Sequence, residues 1–372
     1  MRIFHINCDY IFTTLHQKMF EELRKQGVDG TVFVPIRKGA EGLINPISGV
    51  DVVKCFSDLD RFLFYVKQKK LFGAIKEKYV FKDYDIIHAY TLFTDGNCAY
   101  KLYKEYGIPY VVAVRNTDVN LFFKRRIFLR KRGIQILSNA SRVFFLSESY
   151  KKQVMEKYVP KRKRDDIEKK SVVIPNGIDD FWHDNLNTSN REKAVDRINN
   201  RTIKLLYVGG INKNKNLGLT LDAINLLRNE GWNIEYTVVG RIEDEDLYNI
   251  LISQNGTRYF KPEKKENLID IYRDNDIFVM PSHTETFGLV YAEAMSQGLP
   301  IIYTRGQGFD KQFEEGVVGY SVSDADASEL ADVIERITRG YQELSSNCLE
   351  KVKKFNWNDI VNQYIEIYKS IL

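Results

Sequence analysis

Cysteine is scarce in this sequence. Its four residues, Cys8, Cys55, Cys98 and Cys348, lie far apart, with no C-x-x-C pair and no Cys/His cluster. That spacing argues against a zinc module and a disulfide framework. It fits a reducing compartment and thiols that serve as small buried apolar groups. No metal is expected. Proline is also sparse, at eight residues in 372, and no stretch is biased enough for extended disorder. No run reaches the roughly 18 apolar residues needed to cross a bilayer. The opening MRIFHINCDY lacks a charged leader, an apolar core and a small-residue cleavage site, so no signal peptide is expected. These absences predict a cytoplasmic chain, either free or peripheral on the inner face of the cell membrane.

Charge is abundant and unevenly spread. The formal net charge is +5, but residues 1–178 hold 33 Lys and Arg against 19 Asp and Glu, and the remainder holds 22 against 31. A basic first half implies a polyanionic partner there, nucleic acid or an anionic membrane surface. Nucleic acid is disfavoured, because an aromatic ribonucleoprotein motif, a zinc module and a clear recognition helix are all missing.

The length suggests two domains, and the periodicity agrees. Runs that are apolar on both faces read as buried parallel strands. In the first half they are 2–6, 31–36, 85–90, 110–114, 142–147 and 171–175; in the second, 203–210, 234–240, 276–281 and 299–304. Helical patterns lie between them, such as 16–27 ending at Gly27 and 217–231 ending at Gly231. Strand–helix alternation, twice over, predicts two doubly wound α/β domains. The boundary is expected after PNGIDD (175–180), in the polar stretch 181–201. The basic stretch 160–170 reads as an exposed loop or helix end.

The densest chemical signal is PSHTETFGLVYAEAMSQGLP (281–300). A loop after a buried strand leads into a helix starting near Phe287–Gly288 and ending near Gly298. Ligands bind in such a crevice, and free amides at a helix start favour a diphosphate. Glu285 sits in the loop and Glu293 near the second turn, with seven residues between them. Carboxylates accept hydrogen bonds from hydroxyls, so the pair can hold a sugar at one end of a diphosphate and a ribose at the other. An acidic first turn of an ordinary helix is the plainer alternative.

That combination resembles the Glu-x7-Glu signature of retaining glycosyltransferases of family four, which have the GT-B fold. Further segments agree in order over nearly the whole chain: VIPNGIDDFW (173–182), LLYVGGINKNKNLGLTLDAI (205–224), ENLIDIYRDNDIFVMPS (266–282), EEGVVGYSVSDADASELADVI (314–334) and KFNWNDIVNQYIEIYKSIL (354–372). The resemblance implies two Rossmann-like domains facing across a cleft. An acceptor-binding domain would cover 1–178, a nucleotide-sugar-binding domain 179–357, and a terminal helix, 358–372, would cross back to the first. It also implies roles. Glu285 would contact the sugar near the reacting carbon, and Glu293 the donor ribose. The amides of Phe287, Gly288, Leu289 and Val290 would serve sugar and diphosphate. Lys215 would bind the diphosphate, in a loop that begins at Gly209. The base would lie near Arg241 and Tyr259–Lys261. A cation is needed because the departing nucleoside diphosphate develops negative charge.

The sequence departs from the family pattern in three places. Gly210 stands where an Arg is usual, so either Lys213 substitutes or the diphosphate is held differently. The first strand–helix loop, CDYIFTT (8–14), lacks the usual adjacent glycines. Arg115–Asn116 replaces a common His–Gly, while Asp118 still matches an acidic position. Arg115 and Asp118, at a strand's C-terminal end, are candidate site residues; Asp95 is as readily a turn aspartate. His5 and His88, within strands, read as core histidines.

The segment 121–137 interleaves Lys124, Arg125, Arg126, Arg130, Lys131 and Arg132 with Phe122, Phe123, Ile127, Phe128, Ile134 and Leu137. It reads either as an interfacial membrane contact, which suits a polyprenyl-linked glycan acceptor, or as a surface helix with its apolar side in the core. The favoured function is a retaining transferase. It would move a hexose from a nucleotide-diphosphate sugar, a UDP-sugar before GDP-mannose, to a glycan or lipid-linked acceptor in cell-surface polysaccharide synthesis. The alternatives are a non-catalytic partner subunit of the same fold and a nucleotide-sugar epimerase.

Overall fold

The computed structural model of the protein describes residues 1–40, 46–189 and 191–372. The chain divides into two compact units, Met1–Asn176 with Trp357–Leu372, and Gly177–Asn356. Within the polar stretch 181–201, Asn190 lies outside the described residues, while short helices form at Asp180–Asp184 and Glu192–Asn199.

The first unit holds a parallel sheet of β1 (Arg2–Ile6), β2 (Asp29–Arg37), β3 (Val50–Phe56), β4 (Ile86–Ala89), β5 (Tyr110–Ala113), β6 (Arg142–Phe145) and β7 (Ser171–Val173), in the order β3-β2-β1-β4-β5-β6-β7. Its central strands are buried on both faces because helices cover both. Phe4, Ile6, Ile87 and Val112 point to one side, against helices Phe64–Lys78 and Thr94–Tyr106. Ile3, Ile86, Val111 and Phe144 point to the other. There they meet Met19 and Leu23 of helix Thr14–Lys25 and Trp357, Ile360 and Tyr364 of the terminal helix Trp357–Lys369. Each such buried side chain contributes about 1.5–3 kcal/mol. The terminal helix is further pinned by the Tyr368 hydroxyl, 2.7 Å from Nδ1 of His88.

The second unit repeats the plan with β8 (Thr202–Val208), β9 (Asn233–Val239), β10 (Thr257–Phe260), β11 (Ile277–Met280), β12 (Ile301–Thr304) and β13 (Gly319–Val322), in the order β10-β9-β8-β11-β12-β13, again parallel. In both sheets the chain winds outward to one edge, then returns to the centre and winds to the other. The direction reverses between β1 and β4 in the first sheet and between β8 and β11 in the second. A crevice opens at the carboxyl ends of the strands where the winding reverses.

The structure corrects several sequence expectations. Strands β3, β10 and β13, all at sheet edges, lie outside the expected strands, and β3 and β10 keep only partial burial. The basic stretch 160–170 contains a helix, Lys161–Glu168, anchored by buried Ile167. Of the four cysteines, only Cys98 and Cys348 are buried; Cys8 and Cys55 are partly exposed, and all four are free thiols. The segment 121–137 is not one amphipathic helix. It breaks into a π-helical turn Asp118–Phe123, a short turn Ile127–Leu129 and helix Arg130–Asn139. Phe122, Phe123, Ile134 and Leu137 belong to the core, whereas Ile127 and Phe128 are 63% and 68% exposed.

Candidate functional site

In the second unit, two loops meet where the winding reverses. One follows β8 and carries Gly209 to Asn216; the other follows β11 and carries Pro281 to Gly288. The sequence ties them together. Asn214 donates its side-chain amide to the Thr284 carbonyl (2.9 Å), and His283 donates its backbone amide to the Asn214 carbonyl (2.9 Å). Asn216 adopts a left-handed conformation, φ 57°, and its side chain donates to the carbonyls of Pro281 and Asp324. Asn212 caps the short turn Lys213–Lys215 by accepting the Lys215 amide.

This stapling delivers the ammonium of Lys215 to the carboxylate of Glu285, 2.7 Å apart, with only 20% and 14% of the two side chains exposed. A charge-assisted bond of this kind is worth roughly 1.5–3 kcal/mol. Glu285 is held from behind as well. Its amide donates to Oε1 of Gln307, its carbonyl accepts the Gly308 amide, and its own Oε1 accepts the Thr286 amide. Gly308 must lack a side chain, since a Cβ there would fall 1.7 Å from the Thr286 carbonyl oxygen.

Helix Leu289–Ser296 starts beside this pair, with Gly288 at φ 75° as its cap residue. A Cβ at Gly288 would meet the Tyr291 ring at 2.6 Å. The amides of Gly288, Leu289 and Val290 meet no acceptor among the described residues. Unpaired amides at a helix start suit an anion. Further along the helix, the half-buried Glu293 accepts a hydrogen bond from the Tyr272 hydroxyl, 3.2 Å away. Burial pushes its carboxyl up to about 7, with the charge of Asp179 adding to the rise and Tyr272 opposing it.

The loop after β8 faces a residue absent from the sequence expectations, Glu243, which follows β9. A Cβ at Gly210 would lie 2.7 Å from Oε1 of Glu243, whose other oxygen accepts the Asn212 side-chain amide at 2.8 Å. Gly210 therefore faces a carboxylate. The signal was present in the acidic run after Gly240, but only the pairing of Ile211 with Ile242 brings that run alongside. The Lys213 side chain is 91% exposed and faces Asp244 at 4.0 Å. Arg241 is exposed on the adjacent strand end, where its carbonyl accepts the Ile211 amide. Among the described residues no group of three or more His, Cys, Asp or Glu is placed to hold a metal ion.

Arg115 and Asp118 lie in the first unit and contact each other there. The buried Asp118 carboxylate accepts the amides of Leu92 (2.9 Å), Phe93 (3.1 Å) and Arg115 (2.9 Å). Burial raises its pKa to about 6 against the pull of those amides. Its role is to join the end of β5 to the start of helix Thr94–Tyr106. Arg115 reaches the Tyr90 carbonyl and the Asn176 side chain. Asp95 is also buried. It accepts the Thr91 hydroxyl and the Cys8 amide, and burial together with the nearby Asp9 charge pushes its carboxyl well above the usual range. His5 and His88 are fully buried, as core histidines should be.

Comparison with known proteins adds to this geometry. A family described as Glycosyl transferases group 1 matches residues 188–355, and one described as Glycosyltransferase Family 4 matches residues 17–180. The capsular polysaccharide biosynthesis glycosyltransferase CapM of Staphylococcus aureus is 26% identical over 206 residues, 53% of this chain and 52% of CapM. The chain spans about half the length, or less, of the first curated relatives it matches. Among solved structures, sucrose-phosphate synthase of Thermosynechococcus elongatus superposes with a TM-score of 0.77 at 19% identity, covering 100% of this chain and 99% of that one. The Anabaena protein HepE in complex with UDP-glucose superposes with a TM-score of 0.70 at 16% identity over 100% of both chains.

Proposed function

Because the chain belongs to the group 1 glycosyltransferases of family four, with the GT-B fold, we propose that it transfers a hexose from a nucleotide-diphosphate sugar, with retention of anomeric configuration, to a glycan or lipid-linked acceptor. A UDP-sugar is the favoured donor and GDP-mannose the alternative. The likeness to CapM, a capsular polysaccharide biosynthesis glycosyltransferase, supports a place in polysaccharide biosynthesis, and the UDP-glucose bound by HepE supports a nucleotide-sugar donor. The enzyme works without a metal, at the inner face of the cell membrane.

The observation that carries this reading is the Lys215–Glu285 pair beside the uncapped helix start. The donor diphosphate takes the amides of Gly288, Leu289 and Val290 and draws the Lys215 ammonium toward its phosphoryl oxygens. Glu285, released from the lysine, accepts from the sugar hydroxyls and orients the ring. As the glycosidic bond lengthens, charge accumulates on the leaving diphosphate. Lys215 and the helix start stabilise that charge more than they stabilise the ground state. The acceptor attacks from the face the diphosphate leaves. Glu293 accepts from the donor ribose, and Arg241 lies beside the base. Arg115 and Asp118 act as positioning residues, through the loop ends they hold.

The test is transfer from radiolabelled UDP-glucose and GDP-mannose by the purified protein. Glu285→Gln should keep donor affinity within about threefold and lose at least about a hundredfold in kcat, the loss expected when a group aimed at the reacting centre is removed. Full turnover in this variant contradicts the assignment.

A further inference from the structure

The first unit has its own cavity, of about 390 Å³, where its winding reverses. Its lining includes the loop after β1 (Cys8, Asp9), the loop after β4 (Thr91) and the start of helix Thr94–Tyr106 (Thr94). Its walls come from two segments that face each other across it, 61–67 and 117–126. Those segments are joined at the base by an edge-on contact of the Phe64 and Phe122 rings, 6.0 Å between centroids.

The lining is of two kinds. Arg61, Lys67 and Arg126 bring three cations to it, and none has a carboxylate ion-pair partner among the described residues. Against them stands Asp9, exposed in the lining; Asp118 is already saturated by backbone amides. Thr94 and Thr117 belong to the same lining. Three cations and two threonines around a confined volume suit a phosphate or diphosphate.

The rim is apolar. Phe62 lines the cavity while 78% exposed, between Arg61 and Leu63, which is 56% exposed. On the facing segment, Ile127 and Phe128 follow directly after Arg126. Leaving such side chains in water forgoes about 1.5–3 kcal/mol each, and exposed apolar side chains on both walls of one cavity suit a binding surface. A cation-lined cavity with an apolar rim matches an amphiphile with an anionic head.

We propose that this cavity binds the phosphate or diphosphate of a lipid-linked acceptor, with Arg61, Lys67 and Arg126 on the phosphoryl oxygens and the lipid chain running over Phe62, Leu63, Ile127 and Phe128. The word acceptor rests on the transferase reading above; the binding site itself does not. Short-range charge fixes the head, and the rim distinguishes a lipid-linked phosphate from a free one.

The test uses the full chain and farnesyl diphosphate as probe in neutral detergent micelles. Farnesol, inorganic pyrophosphate and phosphatidylglycerol vesicles serve as comparison arms. UDP-induced thermal stabilisation of the same preparations is recorded in parallel. Farnesyl diphosphate should bind at least about tenfold more tightly than farnesol or pyrophosphate. The triple variant Arg61→Gln/Lys67→Gln/Arg126→Gln should lose at least about tenfold while its melting temperature and UDP response stay within error. Phe62→Ser/Phe128→Ser should lower farnesyl diphosphate affinity and leave pyrophosphate unchanged. Equal affinity for farnesol, unchanged binding by the triple variant, or vesicles that compete as well as the probe would each overturn the proposal. If the wild type shows no response to UDP or GDP, the transferase reading fails, and farnesyl diphosphate binding still decides this one. A triple variant that melts early is replaced by the single Lys67→Gln, from which a loss of about threefold is expected.

Discussion

The two units share one winding plan, and their crevices are furnished in opposite ways. Where β8 meets β11, the charges are already paired and held close, a lysine on a glutamate between two stapled loops. Where β1 meets β4, Asp95 and Asp118 are withdrawn into the protein and bonded to amides and a hydroxyl, leaving Asp9 as the exposed acid of the lining. The cations Arg61, Lys67 and Arg126 line the crevice without carboxylate partners among the described residues, Lys67 over the Phe56 ring and Arg126 over the Phe122 ring. The topology places both crevices, and the loop residues decide what each can hold. A preformed ion pair exchanges readily for a small, doubly charged ligand. Free cations beside apolar side chains suit a larger, amphiphilic one.

The largest expected effect breaks the pair itself. Lys215→Ala should reduce kcat/KM by about a hundred- to a thousandfold, the usual loss when a group stabilising developing charge is removed. Steady-state rates check it, with melting temperature as control.

The next effect separates the units by acid. His5, His16 and His88 are buried in the first unit, and the second holds only the partly exposed His183 and the exposed His283. Burial lowers His5 and His16 to about 3 and His88 further below its usual value. A histidine whose folded pKa is depressed favours the folded state fully above its unfolded value of about 6.5. That contribution is lost as pH falls from there toward the folded pKa. At pH 5 each such histidine costs about 2 kcal/mol. The first unit should therefore melt before the second between pH 6.5 and 4. His16→Phe should recover about 2 kcal/mol at pH 5 and little at pH 8. Calorimetry that shows no pH-dependent separation would contradict this.

A smaller effect concerns Glu293. With its carboxyl near 7, the ionised form that accepts ribose hydroxyls is lost as pH falls through that value. Donor KM should rise several-fold between pH 8 and 6 in the wild type. Glu293→Gln should raise KM about tenfold, about 1.4 kcal/mol, and flatten its pH dependence. The smallest effect tests Gly210. Glu243→Ala removes an exposed negative charge beside the loop after β8. It should tighten nucleoside diphosphate binding by about twofold at low salt and less at high salt, as screening dictates. Titration calorimetry at two ionic strengths separates the cases.

Much of this was legible in the sequence, for identifiable reasons. Central strands such as β1, β4, β8 and β11 are buried on both faces, and their unbroken apolar runs announce them. Edge strands such as β3 and β10 are only partly buried, so their runs look like loop. Glu285 and the glycine before the helix were singled out because loop chemistry at a strand end is local, and Lys215 through the family resemblance; that the two charges touch is visible only in the structure. The Glu243–Gly210 contact was missed because it joins two loops brought together only by the pairing beyond β8 and β9. In 121–137 the composition suggested an interfacial helix, but burial sorted its apolar residues into core and rim. Only the neighbouring segment 61–67, unremarkable in sequence, turns that rim into a cavity.

The central claim is that Lys215 and the start of helix Leu289–Ser296 hold the donor diphosphate. The structure of the protein with UDP or GDP bound tests it directly. The account predicts phosphoryl oxygens within hydrogen-bond reach of the Lys215 ammonium and the amides of Leu289 and Val290, with the Lys215–Glu285 bond opened. A diphosphate bound elsewhere, with that ion pair intact, would contradict it.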